Sequence, residues 1–279
     1  MLTTTDQQGD VELLKSAAAA AGIIAEGYFR KAPKSWDKPN ASPVSEADIA
    51  VDNYLHRILT QSRPDYGWLS EEGGEEGRLT RSRVFVVDPI DGTRTFLRGD
   101  DGWVVSVAVV EAGVPLVGVV YAPVRDELYE ATLGGGAKRN GEPIWTARDA
   151  RTPAIIPAPT AVHRELQALG LDYERGPSIP SLAYRLMQLA TGAIDAVVAR
   201  RGAHDWDIAA ATLILAECGI ALEDVCDGPP LFNRAGLEHG ALAAARPGEL
   251  RAVLHKALKA VYGCPSEDRT EPARELKAR

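Results

Sequence analysis

The sequence predicts a mixed α/β (α+β) fold, and three observations carry that expectation. Between residues 84 and 132, three Val-rich runs and a fourth carrying Leu128 and Tyr129 follow one another, each bounded by Gly, Pro or Asp, as the strands of a sheet are. Two segments with helical spacing precede them. After them, helix and strand patterns alternate, and one of those helices is apolar nearly all round, so it belongs inside the protein.

Residues 10–31 are Ala-rich, with Val11, Leu14, Ala18 and Ala21 near helical spacing, and are expected to form the first helix. The segment from Lys34 to Pro43 is polar and proline-bearing and reads as a loop. Ser45 is placed to cap a second helix over about 46–61, with Ile49, Val51, Leu55, Ile58 and Leu59 on its inner side. Trp68-Leu69-Ser70 is a short strand ending in Glu71-Glu72, and Gly73-Gly74-Glu75-Glu76-Gly77 reads as a mobile acidic loop. Strands are expected at 84–88, 103–111, 114–122 and 127–132, with Glu111-Ala112-Gly113 as a hairpin turn. Gly134-Gly135-Gly136 and Asn140-Gly141 close this region.

Pro153, Pro157 and Pro159 mark a boundary. The expected division is a unit over 1–150 carrying most of the site, a second unit over 151–262, and a flexible polar tail over 263–279. In the second unit, 181–191 reads as a helix stopped by Gly192 and 193–199 as a strand. Residues 207–218 form the apolar helix, with Gly219 as its C-terminal stop. A strand at 220–225 and a helix at about 247–261 complete the unit.

The 279 residues carry a formal net charge of −8. That argues against a nucleic-acid polymer as partner, because phosphate backbones need a basic footprint. An acidic protein that handles a small phosphorylated metabolite needs a local source of positive charge, and metal ions supply it. Cys218, Cys226 and Cys264 are odd in number and form no C-x-x-C pair, so disulfides and zinc are not expected and a reducing cytoplasm fits. No signal-like segment and no apolar run near 18 residues is found, so no membrane association is expected.

Asp88-Pro89-Ile90-Asp91-Gly92-Thr93-Arg94 carries the most chemistry. The apolar run Val84-Phe85-Val86-Val87 leads into two carboxylates spaced across a Pro turn, followed by Gly and Thr whose N–H groups can face an anion. Two such carboxylates in one small space repel each other by roughly 4 kcal/mol at about 4 Å and an effective dielectric near 20. A hard cation removes that repulsion and prefers oxygen ligands. An Asx turn at a strand end is the alternative, and both readings stand on the heptapeptide alone. Glu71 and Glu72 end a strand as Asp88 does, or lie in a solvated loop. Asp207, after Trp206, is a helix-terminal charge or a rigidly held ligand. Asp48 closes an S-x-x-D capping box with Ser45 or serves catalysis. Paired histidines, Gly-x-Ser-x-Gly and a Walker-type loop are all missing, so an oxygen-ligand metal is favoured over zinc, and serine hydrolases and nucleotide kinases are excluded.

Trp68-Leu69-Ser70-Glu71-Glu72, Asp88-Pro89-Ile90-Asp91-Gly92-Thr93 and Trp206-Asp207-Ile208-Ala209-Ala210-Ala211, with Ser42-Pro43-Val44 ahead of Asp48, occur in that order. Over about residues 10–260 the chain resembles the inositol monophosphatase superfamily of metal-dependent sugar and nucleotide phosphatases. The resemblance implies a layered α/β/α/β/α sandwich with the site between two subdomains. It implies Mg²⁺, two or three ions per site: Glu71, Asp88 and the Ile90 carbonyl for the first, Asp88, Asp91 and Asp207 for the second, and a third near Glu71. It implies that Asp48 and Thr93, with Glu71, position or deprotonate the attacking water, and that Gly92 and Thr93 bind phosphate through N–H groups. Lys38 matches a position that is often Lys. Lithium inhibition and a homodimer are also implied.

For the substrate, Gly118-Val119-Val120-Tyr121-Ala122-Pro123-Val124 and His204-Asp205-Trp206-Asp207 look most like the bacterial 3'(2'),5'-bisphosphate nucleotidase branch. Seven residues before Asp207, where inositol phosphatases tend to carry Glu, stands Arg200, followed by Arg201. A guanidinium suits a second phosphate, although both arginines also read as solvated. The expectation is hydrolysis of adenosine 3',5'-bisphosphate, with inositol-1-phosphate as the alternative substrate. A non-catalytic metal- or phosphate-binding regulator would lack a ligand, and here none is missing. The segment between Pro153 and Pro180 is shorter than the family leads one to expect.

Overall fold

The Val-rich runs pair as expected, and their alternation decides which helices cover each face. The computed structural model describes residues 4–39, 42–144 and 152–264. Its first half runs α1 (Thr4–Tyr28), β1 (Ser35–Asp37), β2 (Pro43–Ser45), α2 (Glu46–Ser62), β3 (Gly67–Ser70), β4 (Gly74–Glu76), β5 (Arg83–Asp91), α3 (Thr93–Arg98), β6 (Val104–Glu111), β7 (Val114–Ala122), β8 (Glu127–Thr132), β9 (Gly136–Arg139) and β10 (Glu142–Pro143). Strands β3 to β10 form one eight-stranded sheet in the order β10-β9-β8-β7-β6-β5-β3-β4. Because side chains alternate along a strand, Phe85, Val87, Val105, Val107 and Val109 pack under α1 and α2. Val84, Val86, Val104, Ala108 and Val110 face the other way.

The second half runs β11 (Ala154–Ile156), α4 (Thr160–Ala168), β12 (Tyr173–Arg175), α5 (Leu182–Thr191), β13 (Ala196–Ala199), β14 (Ala203–His204), α6 (Asp205–Glu217), β15 (Leu222–Asp224), β16 (Glu238–His239), β17 (Leu242–Ala245) and α7 (Leu250–Tyr262). Helices α5 and α6 lie between the large sheet and a three-stranded sheet, β13-β17-β15, which supplies Val197, Leu222, Leu242 and Ala244 to the same core. The outer face of that small sheet, with Ala196, Val198 and Ala243, is covered by α4 and α7. The layers are therefore α/β/α/β/α. A helix held between two sheets has no wet face, which explains the apolar circumference of α6. Among the described residues, no helix is long and apolar enough to cross a membrane.

Gly118 shows how closely α6 approaches. A Cβ there would meet the backbone oxygen of Ala210 at 2.7 Å and its Cα at 3.0 Å. Gly118→Ala must push β7 and α6 apart and is expected to destabilise the protein by about 1–3 kcal/mol, as overpacking does. A thermal melt of the variant tests this, and an unchanged midpoint would contradict the close packing.

Several expectations are corrected. Residues 73–77 are not merely a loop: β4 pairs antiparallel with β3 on the sheet edge. The loop expected from Lys34 contains β1, a fully exposed strand paired to β2, whose polar sequence has no alternation to reveal it. The helix expected from residue 10 begins at Thr4. The segment between Pro153 and Pro180 holds a strand, a helix and a parallel strand, with β11 paired to β12. Cysteine usage misled most: Cys226 and Cys264 are joined in a disulfide across 38 residues, and Cys218 is buried outside it. The inference of a reducing compartment loses its basis there. The tail beyond Cys264 and the division near 150 lie outside the described residues.

Candidate active site

Register brings the first carboxylates together. Strands β3 and β5 run parallel with Ser70 opposite Val87, so Glu71 and Asp88 leave the sheet side by side. The Glu71 N–H donates to the Val87 carbonyl at 3.2 Å. Pairing of β5 with β6 shifts between Asp88 and Asp91, where the Pro turn bulges. Asp88 is 1% exposed, and its Oδ1 accepts from the Ile90 N–H at 3.0 Å. The Asx turn expected as an alternative thus exists, and it orients the carboxylate.

Asp91 is tied from another layer. Its Oδ2 accepts from the Ser181 hydroxyl and the Ala183 N–H, each at 2.7 Å, at the start of α5. Asp207 does not open its helix. The helix starts two residues earlier, and the Asp207 Oδ2 accepts from the His204 N–H at 2.7 Å in a capping box. Among the described residues, one oxygen from each of Asp88, Asp91 and Asp207 lies within 4.8 Å of the others. Glu71 lines the same cavity outside this trio, where its Oε1 takes a bond from the Lys38 ammonium at 3.0 Å. Lys38 also pairs with Glu72 at 2.6 Å.

Charge crowding is written into the proton affinities. Burial, and then the charges of Glu71, Asp91, Asp207 and Asp48, push Asp88 well above the ordinary carboxylate range. Burial lifts Asp91 to about 6 against the bonds from Ser181 and Ala183. Burial and Asp91 lift Asp207 well above its usual value. Burial carries Glu72 to about 7, even with Lys38 beside it. Burial works against the Lys38 charge, but Glu71 and Glu72 outweigh it and hold the ammonium above its usual range. The donor set is all oxygen and like-charged, with Asp88 and Asp91 buried and Asp207 half-buried, which fits a hard divalent cation and not zinc.

Asp48 is both cap and neighbour of the site. Its Oδ2 accepts from the Ser45 N–H and hydroxyl, and its Oδ1 accepts from the Thr93 hydroxyl at 2.9 Å. Thr93 also lies 3.1 Å from the Ile90 carbonyl. Burial raises Asp48 against the bonds from Ser45 and Thr93. Gly92 sits at φ 100°, and a Cβ there would meet Ser181 Cβ at 3.1 Å and the Gly102 carbonyl at 3.3 Å.

The cavity in front of the trio measures about 760 Å³. Arg200 and Arg201 both line it, along with Arg94 and Arg185. Sequence reasoning passed over Ser181 and Arg185. Ser181 caps α5 and Arg185 lies within it, and nothing in that helix's apolar pattern points to an acid 90 residues before the cap. Burial lowers the proton affinity of Arg185 while Asp91 opposes the change.

The sequence profile of the inositol monophosphatase family matches residues 6–262. The chain belongs to the inositol monophosphatase family. A Streptomyces griseus protein named glucose-1-phosphate thymidylyltransferase is 34% identical over 82% of this chain and 91% of its own. The inositol-1-monophosphatase of Mesorhizobium japonicum is 32% identical over 77% and 82%. Among solved structures, the extragenic suppressor protein SuhB of Bartonella henselae is 27% identical and covers 90% of this chain and 98% of its own, with a TM-score of 0.79. Inositol monophosphatase family membership places the chain among metal-dependent phosphatases and fits the acidic trio.

Proposed function

We propose that the protein is a Mg²⁺-dependent phosphomonoesterase acting on a small phosphorylated metabolite. The observation that carries the reading is the convergence of Asp88, Asp91 and Asp207, from a strand end and a distant helix start, on one point beside the Asp48–Thr93 pair. Asp88, Asp91, Asp207, Glu71 and the Ile90 carbonyl would hold two Mg²⁺ ions, with a third near Glu71. Bound there, the ions supply an acidified water and charge neutralisation at the leaving oxygen.

The chain's own residues do the rest. Thr93 orients the attacking water and Asp48 Oδ1, at 2.9 Å from its hydroxyl, receives the proton. The Gly92 and Thr93 N–H groups hold phosphate oxygens, and the tight packing around Gly92 keeps that turn in place. Asp91 is fixed by Ser181 and Ala183, so it need not reorganise during reaction.

For the substrate we read a compound with a second anionic group, adenosine 3',5'-bisphosphate being the choice. Its support is the arginines of the cavity lining, Arg200 with Arg94, Arg185 and Arg201, beside the acids Asp91 and Asp207. The motif resemblance of residues 118–124 and 204–207 supports the same choice, and inositol-1-phosphate is the alternative. A division near residue 150 and a homodimer belong to the same reading.

Initial rates with both substrates at equal concentration and saturating Mg²⁺ decide between them. Arg200→Glu is expected to raise KM for the bisphosphate about tenfold or more, through loss of a charge-assisted contact. KM for inositol-1-phosphate should change much less. A large preference of the native protein for inositol-1-phosphate would reject the bisphosphate choice.

A further inference from the structure

The arginine rim of the cavity is braced from outside the site. Arg201 donates from Nη2 to the Gly263 carbonyl at 2.8 Å. Gly263 caps α7, its N–H donating to the Lys259 carbonyl at 2.9 Å. The next residue, Cys264, is bonded to Cys226. Cys226 follows β15, where its N–H donates to Asp224 Oδ1 at 2.9 Å. Tyr262, one residue before Gly263, lies within electrostatic reach of Arg200. The last turn of α7 is thus sewn to the small sheet on one side and holds the 200–202 loop on the other.

We propose that the Cys226–Cys264 disulfide is a thiol-exchangeable clamp on this rim, so that a dithiol reductant weakens the hold on the substrate's distal anionic group. The proposal rests on the reading of Arg200 as a substrate contact. Cys264 is exposed and Cys226 half-buried, so an external thiolate has access, whereas Cys218 is buried. The reductant's thiolate attacks one sulfur and forms a mixed disulfide, releasing the other cysteine as thiolate. The reductant's second thiol then displaces the remaining protein sulfur. The protein gains two electrons and two protons as two thiols, and the reductant leaves as its own disulfide. With the covalent tie gone, the α7 terminus keeps only non-covalent ties: its helical bonds, the bond from Arg201 and the packing of Val261 and Tyr262 on the outer core. Helix ends fray readily, and Arg201 loses a fixed acceptor. The metal-binding trio has no bond to α7: its ties run to α5, to His204 of β14 and within β5.

The test uses the full chain, oxidised and after dithiothreitol, with thiol titration in denaturant showing a rise from one cysteine to three. KM and kcat are measured with adenosine 3',5'-bisphosphate and with p-nitrophenyl phosphate, which lacks a second anion. Reduction is expected to raise KM for the bisphosphate about fivefold, as loss of a bond to a charged group would, and to leave its kcat and p-nitrophenyl phosphate turnover within about twofold. Arg201→Ala should reproduce the rise in the oxidised protein and abolish the response to reductant. Cys226→Ser should match the reduced protein. Amide exchange at 200–202 should accelerate on reduction whichever substrate proves correct. Unchanged exchange there with three thiols exposed overturns the clamp, as do equal losses on both substrates. Accelerated exchange without any preference for the bisphosphate in the oxidised protein would instead reject the substrate reading and leave the clamp standing.

Discussion

Asp88→Asn is expected to remove turnover and, at the same time, to stabilise the metal-free protein. The Asn Oδ1 can keep the bond from the Ile90 N–H, so the turn survives. What disappears is a buried negative charge in the field of Glu71, Asp91, Asp207 and Asp48. A carboxyl whose folded proton affinity is raised favours folding below its unfolded pKa, and that contribution is lost as pH rises through the folded value. At neutral pH the native protein therefore bears the repulsion and the variant does not. The gain for the metal-free variant is on the order of 1–3 kcal/mol, a rise of a few degrees in melting temperature. It should grow from about pH 4 upward. Turnover should fall by about a thousandfold or more, since an amide is a poor ligand for the ions that neutralise the leaving oxygen. Steady-state rates with Mg²⁺ and melts in EDTA measure both. A variant that stays active, or melts lower than the native protein without metal, would remove Asp88 from the centre of the site.

Metal removal gives the second large effect. Dialysis against EDTA should take activity to background, and Mg²⁺ should restore it. Saturating Mg²⁺ should also stabilise the fold, by about 2.7 kcal/mol at a hundredfold excess over Kd. For a chain of this size that is about 5–10 °C. The shift should depend on pH with a definite sign. Asp91 is lifted to about 6, and Asp88 and Asp207 are raised as well, so protons compete with the cation at mildly acid pH. The Mg²⁺-induced shift is expected to be larger at about pH 7.5 than at about pH 5.5. A shift that is equal at both, or larger in acid, would mean that the cation binds elsewhere.

The sequence made the large sheet legible because β5, β6 and β7 are Val-rich and all four strands are bounded by turn residues, and β5 to β8 fall where the runs predict. It made α2 legible through Ser45, which does cap it. The small sheet was harder. Its central strand is Leu242-Ala243-Ala244-Ala245, and alanine has no strand preference, so only the pairing to β13 and β15 reveals it. Strand β4 is Gly-Glu-Glu and owes its form to its neighbour. The disulfide was invisible because cysteine spacing says nothing about where the end of a distant helix returns. In the site, the acidic motifs could be read one by one, as each ends a strand or starts a helix. Ser181 and Arg185 could not, since their partner Asp91 is set by packing between layers. Lys38 was noted only through resemblance, and its grip on Glu71 and Glu72 needed the β1–β2 hairpin to be seen.

Helix α6 is a shared beam. Asp207 sits in its first turn, Gly118 of the large sheet presses on its middle, and the small sheet bears on its far side. Neither half of the chain owns this beam, so neither can keep the ligand geometry without the other. Loosening the outer sheet, however far from the chemistry, tilts the support on which one of the three clustered acids rides.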